Sequence, residues 1–310
     1  MLLRIHHETI YRYAAPVSDS YMETRLRPWS DAEQGCADYS LVTTPATRLS
    51  QCRTPFAWID FFNVLAPHDS LRLVSEATVI TMPRDPFERL DMLGGDWSSL
   101  EEEDLRGRCW GYLQPPREPE VAEAVGRMAA EVRRGAGEGV AAFLLALNER
   151  IHRTYEYDPR ATTVTTPLAE VLAQRRGVCQ DFAHLMLAVA RSAGLPARYV
   201  SGYLHVEEPT AAHGAMHAWV EAYVPASGWV GFDPTHGLLV DHHYVKVGVG
   251  RSYSDVPPTR GLYRGPQEHT LEVEVSVKTV ESAANGAWNG LMRGASLARA
   301  MPQRAVARSG

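Results

Sequence analysis

Apolar and polar positions alternate with period two at both ends of this chain and step at helical spacing between them. Leu3, Ile5, His7, Thr9, Tyr11 and Tyr13 alternate with Arg4, His6, Glu8 and Arg12, the pattern of a strand with one buried face. Residues 16–27, 38–49, 56–65 and 71–82 read similarly, with Pro, Gly, Ser and Asp between them. Phe56 to Leu65 is almost wholly apolar and is expected deep in a sandwich. Leu71, Leu73, Ala77 and Val79 make another inward face. The pattern predicts an antiparallel, sandwich-like β domain over 1–83. Leu271, Val273, Val275 and Val277 alternate with Glu272, Glu274, Ser276 and Lys278, so a strand over 268–280 is expected to rejoin that domain.

From Pro83 the period changes, and 84–160 reads as a helical connecting region. Ser99 with Glu102 forms a capping-box pattern. Val121, Val125, Met128 and Val132 step along one helix, and Val140, Leu144, Leu147 and Ile151 along the next. Thr166-Pro167 reads as N-cap and first turn of a short helix reaching about Gln174. Phe182, Leu185, Met186, Val189 and Ala190 then mark a helix from Cys179 to Ala193, stopped by Gly194 and Pro196. Strands follow at 197–206, 217–224 and 229–233. His217, Trp219, Glu221 and Tyr223 share one face, and the apolar residues of the other face are expected to cover the Cys179 helix.

Register decides which side chains meet. If Val224 pairs with Gly228, Asp233 falls opposite Trp219 and diagonal to His217 on the same face. Diagonal neighbours are about 7–8 Å apart at the backbone, within reach of a His and an Asp. A slip by one residue sends Asp233 to the other face.

The helix that opens at Cys179 points unpaired N–H groups at the thiol, and that partial positive charge favours a thiolate. Taken alone, a cysteine opening a buried helix is a small apolar residue. His217 alone reads as a core histidine, and Asp233-Pro234 as an ordinary turn. Together, 38 and 16 residues apart on a helix, a strand and the next strand, they form the Cys-His-Asp set of nucleophilic acyl chemistry. The thiolate attacks a carbonyl, the imidazole moves the proton, and the carboxylate fixes the tautomer.

Four segments carry a family resemblance. Gly177-Val178-Cys179-Gln180-Asp181-Phe182-Ala183-His184-Leu185, Ala197 to Tyr203, His217-Ala218-Trp219-Val220-Glu221 and Gly228 to Thr235 resemble the transglutaminase-like core. Residues 1–83 resemble the β region preceding that core in bacterial members, and Val249 to Gly261 the segment that follows it. The resemblance spans about 1–280. It implies an α+β, papain-like fold with the core at 161–265, and it carries Cys179, His217 and Asp233 over as nucleophile, base and orienter. It implies a thioester on Cys179 formed from a peptide or amide. Hydrolysis, as in a cysteine protease or amidase, is the first expectation, and amine transfer to glutamine the alternative. A catalytically silent binding module in the same fold is the reading from another class. The backbone N–H of Cys179 and one of Gln180, Trp219 or Tyr203 are the expected oxyanion or substrate contacts.

The remaining composition narrows the setting. A formal charge of −6 argues against nucleic acid as a partner. Residues 282–310 hold four Arg and no acid and read as a disordered tail, which leaves the rest of the chain more acidic still. That balance mildly favours a neutral or basic peptide or protein substrate. No long apolar run is present, and Met1 to Tyr13 reads as neither signal peptide nor anchor, so no membrane association is expected. Cys36, Cys52, Cys109 and Cys179 lack C-x-x-C spacing, as expected of reduced thiols in a cytoplasmic protein. No cofactor is expected, and no calcium, since no D-x-D-x-D-G loop occurs. His213, His217, His236, His242, His243 and Cys179 make a zinc site the competing assignment, but His217 opens a strand, which breaks the shared helical face. His184, five residues past Cys179, reads as packed or surface. Arg251, Tyr253 and Asp255 lie in a Pro-rich loop that either borders the cleft or crosses the surface.

Overall fold

A computed structural model describes residues 1–83, 85–90, 96–207 and 216–280. Five strands come first: β1 (Leu2–Thr24), β2 (Gln34–Thr44), β3 (Ser50–Arg53), β4 (Trp58–Val64) and β5 (His68–Thr81). The helices α1 (Glu103–Arg108), α2 (Pro119–Gly135) and α3 (Val140–Thr154) follow. A short strand β6 (Glu156–Tyr157), helix α4 (Leu168–Gln174) and strand β7 (Arg176–Gly177) lead into α5 (Cys179–Ser192). The chain continues through β8 (Ala197–Leu204), β9 (His217–Val224), β10 (Gly228–Asp233), β11 (Leu238–Leu239) and β12 (Tyr244–Gly250), then β13 (Thr259–Arg264) and β14 (His269–Thr279). The mixture of helices and antiparallel sheets is the expected α+β class.

One strand organises the N-terminal sheet. Residues 2–13 of β1 pair with β5 on one side and β14 on the other, whereas its last residues pair with β4 and β13. The two strands expected at 2–13 and 16–27 are therefore one strand with a break. Pro16 carries no N–H for a ladder, Asp19 adopts a left-handed φ of 50°, and the pairing shifts register between Arg12 and Val17. The strand at 269–279 pairs along β1 in this sheet, with Leu3 opposite Thr279. Leu71, Leu73, Ala77 and Val79 point inward and are buried. The Phe56–Leu65 expectation fails: Phe62 and Val64 are buried, but Phe61 and Leu65 are exposed, because β4 has only one covered face.

The second sheet runs β11-β10-β9-β8-β12. Ala218, Val220, Ala222 and Val224 pack on Phe182, Leu185, Met186 and Val189 of α5 in the largest core. Val121, Val125 and Val132 of α2 and Val140, Leu144, Leu147 and Ile151 of α3 enclose the same core. At about 0.025 kcal/mol per Å² of apolar surface removed from water, this cluster is the main force holding α5 against the sheet. The capping box at Ser99 and Glu102 does not form. Asp96 caps a 3₁₀ turn at Trp97–Glu101 instead, accepting the Ser98 N–H, and Glu102 begins α1 without a side-chain cap. Helix α4 begins one residue later than expected, with Pro167 as its N-cap.

The two sheets pack together. Leu3, Ile5, Val79 and Val275 from the first meet Tyr203, Val245 and Val247 from the second. Lys246 locks the junction: its backbone bonds Trp29 and Gln34, and its ammonium bridges Asp31 at 3.1 Å and Glu221 at 2.6 Å.

Candidate active site

Cys179 is the first residue of α5, and the turn before it is built to hold it there. The Asp181 carboxylate accepts the Val178 N–H at 2.8 Å and the Thr162 hydroxyl at 2.6 Å. It thereby satisfies one of the orphan donors of the helix start and sets the chain direction at the cysteine. Gly177 allows this: a Cβ there would stand 2.6 Å from the Asp181 oxygen.

His217 and Asp233 meet through the register anticipated above. Gly228 pairs with Val224 and Phe232 with Val220, which leaves Asp233 on the His217 face. His217 Nε2 lies 2.8 Å from Asp233 Oδ2. The same carboxylate accepts Tyr244 Oη–H at 2.8 Å, the Thr235 N–H at 2.9 Å and the His236 N–H at 3.3 Å, and lies 2.7 Å from His236 Nδ1. Asp233 is wholly buried, so these donors replace its water. An ionised carboxylate only accepts, so His217 donates from Nε2 and its Nδ1 is left as the basic nitrogen.

The electrostatics of the pair are mutual. Burial alone would lower the His217 pKa, but the charge and hydrogen bond of Asp233, then those of Cys179, raise it to about 10. Burial alone would raise the Asp233 carboxyl, and His217 followed by His236 hold it well below the usual carboxylate range. The imidazole thus carries a proton beside the ionised Asp233 carboxylate.

Cys179 and His217 open on a cavity of about 350 Å³. Gln180, Tyr199, Ser201, Met216 and Tyr253 line its core side, and His7, Thr9, Leu271 and Val273 come from the N-terminal sheet. Two sheets therefore build one cavity, so the N-terminal region forms part of the site wall. The Arg251–Asp255 segment borders the cleft through Tyr253. The Tyr253 N–H donates to His184 Nε2 at 3.2 Å, and Arg191 donates to the Arg251 carbonyl at 2.6 Å. His184 is packed, ring to ring with Tyr199, and serves as this anchor.

The three supplementary candidates separate. Gln180 lines the cavity and donates Nε2 to the Val164 carbonyl at 3.2 Å. Trp219 does not line it. It is 1% exposed, stacks beside His217 at 6.2 Å, and fills the space over Gly202, where a Cβ would meet the indole at 2.4 Å. Tyr203 does not line it either. Its hydroxyl faces His7 Nδ1 at 3.0 Å in the junction between the sheets. Trp219 shares the His217 face and Tyr203 the Ser201 face, but Tyr244 covers the first and the N-terminal sheet the second, so neither reaches the cavity.

Sequence reasoning missed Tyr244, and it weighed His236 only as a zinc ligand, not as a partner of Asp233. His236 follows Asp233 by three residues and could have been read as a turn partner. Tyr244 arrives from β12, and no local signal ties it to Asp233. The competing zinc set is divided by the fold. His217, Asp233 and His236 converge, but at hydrogen-bond separations of 2.7–2.8 Å. Two ligands of one tetrahedral zinc stand about 3.3 Å apart at bond lengths of about 2 Å. His242 and His243 gather separately with Asp241, and His213 lies outside the described residues.

Comparison with known proteins agrees with this architecture. Residues 126–234 match the model of the transglutaminase-like superfamily, and residues 3–80 that of the bacterial transglutaminase-like N-terminal region. An uncharacterized protein of Mycobacterium leprae is 35% identical over 89% of this chain and 98% of its own length. The protein-glutamine gamma-glutamyltransferase of Pseudomonas aeruginosa is 30% identical over 59% of this chain, but over only 29% of its own length. A crystal structure from Cytophaga hutchinsonii, provisionally named a cysteine protease, superposes with a TM-score of 0.71 at 24% identity, covering 91% of this chain and 92% of that one; it shows the fold alone. With a relative matched over nearly its full length and both family regions present in order, the chain belongs to the transglutaminase-like superfamily.

Proposed function

We propose that the protein is a cysteine-dependent acyl enzyme that cleaves a peptide or amide through a thioester on Cys179. The observation that carries this reading is the His217–Asp233 bond of 2.8 Å beside Cys179, at the wall of a largely apolar cavity.

The Cys179 sulfur attacks the substrate carbonyl, forming the S–C bond and an oxyanion. The Cys179 N–H, at the open start of α5, is a donor for that oxyanion, with Gln180 beside it. His217 gives its Nδ1 proton to the leaving nitrogen as the C–N bond breaks, releasing ammonia or an amine. Water then loses a proton to His217 and attacks the thioester, and the S–C bond breaks to give the acid and regenerate the thiolate. Asp233 holds the Nε2–H throughout.

Hydrolysis is the simplest outcome, since water needs no binding site of its own. Similarity to a protein-glutamine gamma-glutamyltransferase over 59% of the chain favours a second outcome, in which a primary amine replaces water.

The deciding experiment is the pH dependence of Cys179 alkylation by iodoacetamide, with Cys36, Cys52 and Cys109 followed by mass spectrometry in the same sample. Reaction of Cys179 well below pH 8, lost in His217→Ala, supports the ion pair. Equal reactivity of all four thiols sinks it and leaves a binding module. Product analysis with and without a primary amine then separates hydrolysis from transfer.

A further inference from the structure

The wall of the Cys179 cavity ends in an open strand edge. Among the described residues, strand β14 pairs with β1 alone, and its hydrogen bonds fall on alternate residues. The Ala14 N–H donates to the Glu268 carbonyl at 3.1 Å and the Val280 N–H to the Leu2 carbonyl at 2.9 Å. Even-numbered residues of β14 therefore face β1, and odd-numbered residues point their N–H and C=O groups the other way. The carbonyl of Val277 confirms the parity, lying 3.0 Å from His205 Nδ1 on that far side. Farther along, Leu271 and Val273 direct their backbone groups outward, and among the described residues no strand covers them.

The same two residues line the cavity with Cys179. Their side chains share a face with Thr9 and Tyr11 across the ladder, while Glu272 and Glu274 project from the opposite face. Glu272 pairs with Arg12 at 3.2 Å. Glu274 stands opposite Glu8, whose carboxylate is taken by Arg72. An acid opposite an acid at a sheet edge is a repulsive arrangement that a cation on an adjoining strand relieves.

We infer that the substrate is an extended polypeptide segment with basic residues at alternate positions, docked antiparallel on the open edge of β14 with its reacting side chain turned into the Cys179 cavity. This rests on the acyl-enzyme reading above. Backbone hydrogen bonds to Leu271 and Val273 supply affinity, as in other strand additions. The alternation of the ladder supplies register: residues bonded to Leu271 and Val273 face the cavity, and those between face Glu272 and Glu274.

The probe is acetyl-Val-Lys-X-Lys-Val-amide, where X is 6-diazo-5-oxo-norleucine, a glutamine-like electrophile. Labelling of Cys179 by this peptide should exceed labelling by the acetyl-X-amide monomer about tenfold or more. N-methylation of the two valines, whose N–H groups would face β14, should abolish the gain, and N-methylation of the two lysines should not. Val273→Pro removes an outward N–H without breaking a bond to β1, so the labelling ratio of peptide to monomer should fall toward one in that variant. Glutamates in place of the lysines should slow labelling.

A second readout does not need the thiol. Hydrogen exchange of the Leu271 and Val273 amides in Cys179→Ser should slow when the glutamine form of the peptide is added. Labelling without this protection, or equal rates for peptide and monomer, overturns the docking and leaves the acyl enzyme standing. Protection without labelling supports the docking and fails the acyl chemistry.

Discussion

Gly177 and Asp181 are four residues apart and share one space: the Asp181 side chain crowds the place where a Cβ of residue 177 would stand. Without a Cβ at 177, the Asp181 oxygen reaches the Val178 N–H at 2.8 Å and fixes the first turn of α5 under Cys179. Gly177→Ala should displace that carboxylate. We expect a loss of about 1–3 kcal/mol in urea unfolding, the range for an unmade buried hydrogen bond, together with slower alkylation of Cys179. A variant of unchanged stability and reactivity would show that the turn tolerates the methyl group.

Asp233→Asn keeps the shape of the side chain but removes the charge that holds protonated His217. The His217 pKa, raised to about 10 by Asp233 and Cys179, should fall. Its raised value means the imidazolium stabilises the fold below its unfolded range near 6.5, and that contribution is lost as pH rises toward 10. The variant should therefore lose the alkaline dependence of stability above pH 6.5, measured by urea midpoints from pH 6 to 10. Alkylation of Cys179 at pH 7 should slow by roughly tenfold or more, one pKa unit being worth about 1.4 kcal/mol.

His7 titrates in the opposite sense. Its ring is 1% exposed, and burial followed by the neighbouring His6 lowers its pKa to about 4. The unfolded chain takes up a proton near pH 6.5 that the folded one refuses, so stability falls as pH drops from 6.5 to about 4. Between pH 7 and pH 5 we expect His7 to account for about 2 kcal/mol of lost stability. His7→Gln should flatten that part of the profile; an unchanged profile would place the acid sensitivity elsewhere, with His184, also lowered to about 4, the next group to replace.

Glu221 ties Arg198 and Lys246 beneath the sheet, at 2.5 Å and 2.6 Å. Burial alone would raise its carboxyl, and Lys246 and Arg198 outweigh burial and lower it to about 2. Glu221→Gln leaves two cations facing a neutral amide, and loss of one partner from a buried ion pair costs about 3–5 kcal/mol. The thermal midpoint should drop clearly, while Cys179 alkylation in the still-folded protein at low temperature stays near wild type, because Glu221 contacts neither Cys179 nor His217.

Much of the site was legible because its determinants are local. Helical spacing from Phe182 and the stop at Gly194 fixed which residue opens α5. Strand parity put His217 and Asp233 on one face, since the side-chain period in a strand is two and the tight turn at 225–227 allows few registers. Such signals need only the residue and its near neighbours.

What the sequence by itself placed was the family resemblance, the candidate residues Cys179, His217 and Asp233, and the elements that hold them. Tertiary structure alone decided what surrounds them. Tyr244 reaches Asp233 from β12, and His7, Thr9, Leu271 and Val273 reach the cavity from a sheet built by both ends of the described chain. It also withdrew Trp219 and Tyr203 into packing. The reason is physical: a strand's own sequence sets which face a side chain takes, but what lies against that face depends on how distant segments bury their apolar area together, and that has no local sign.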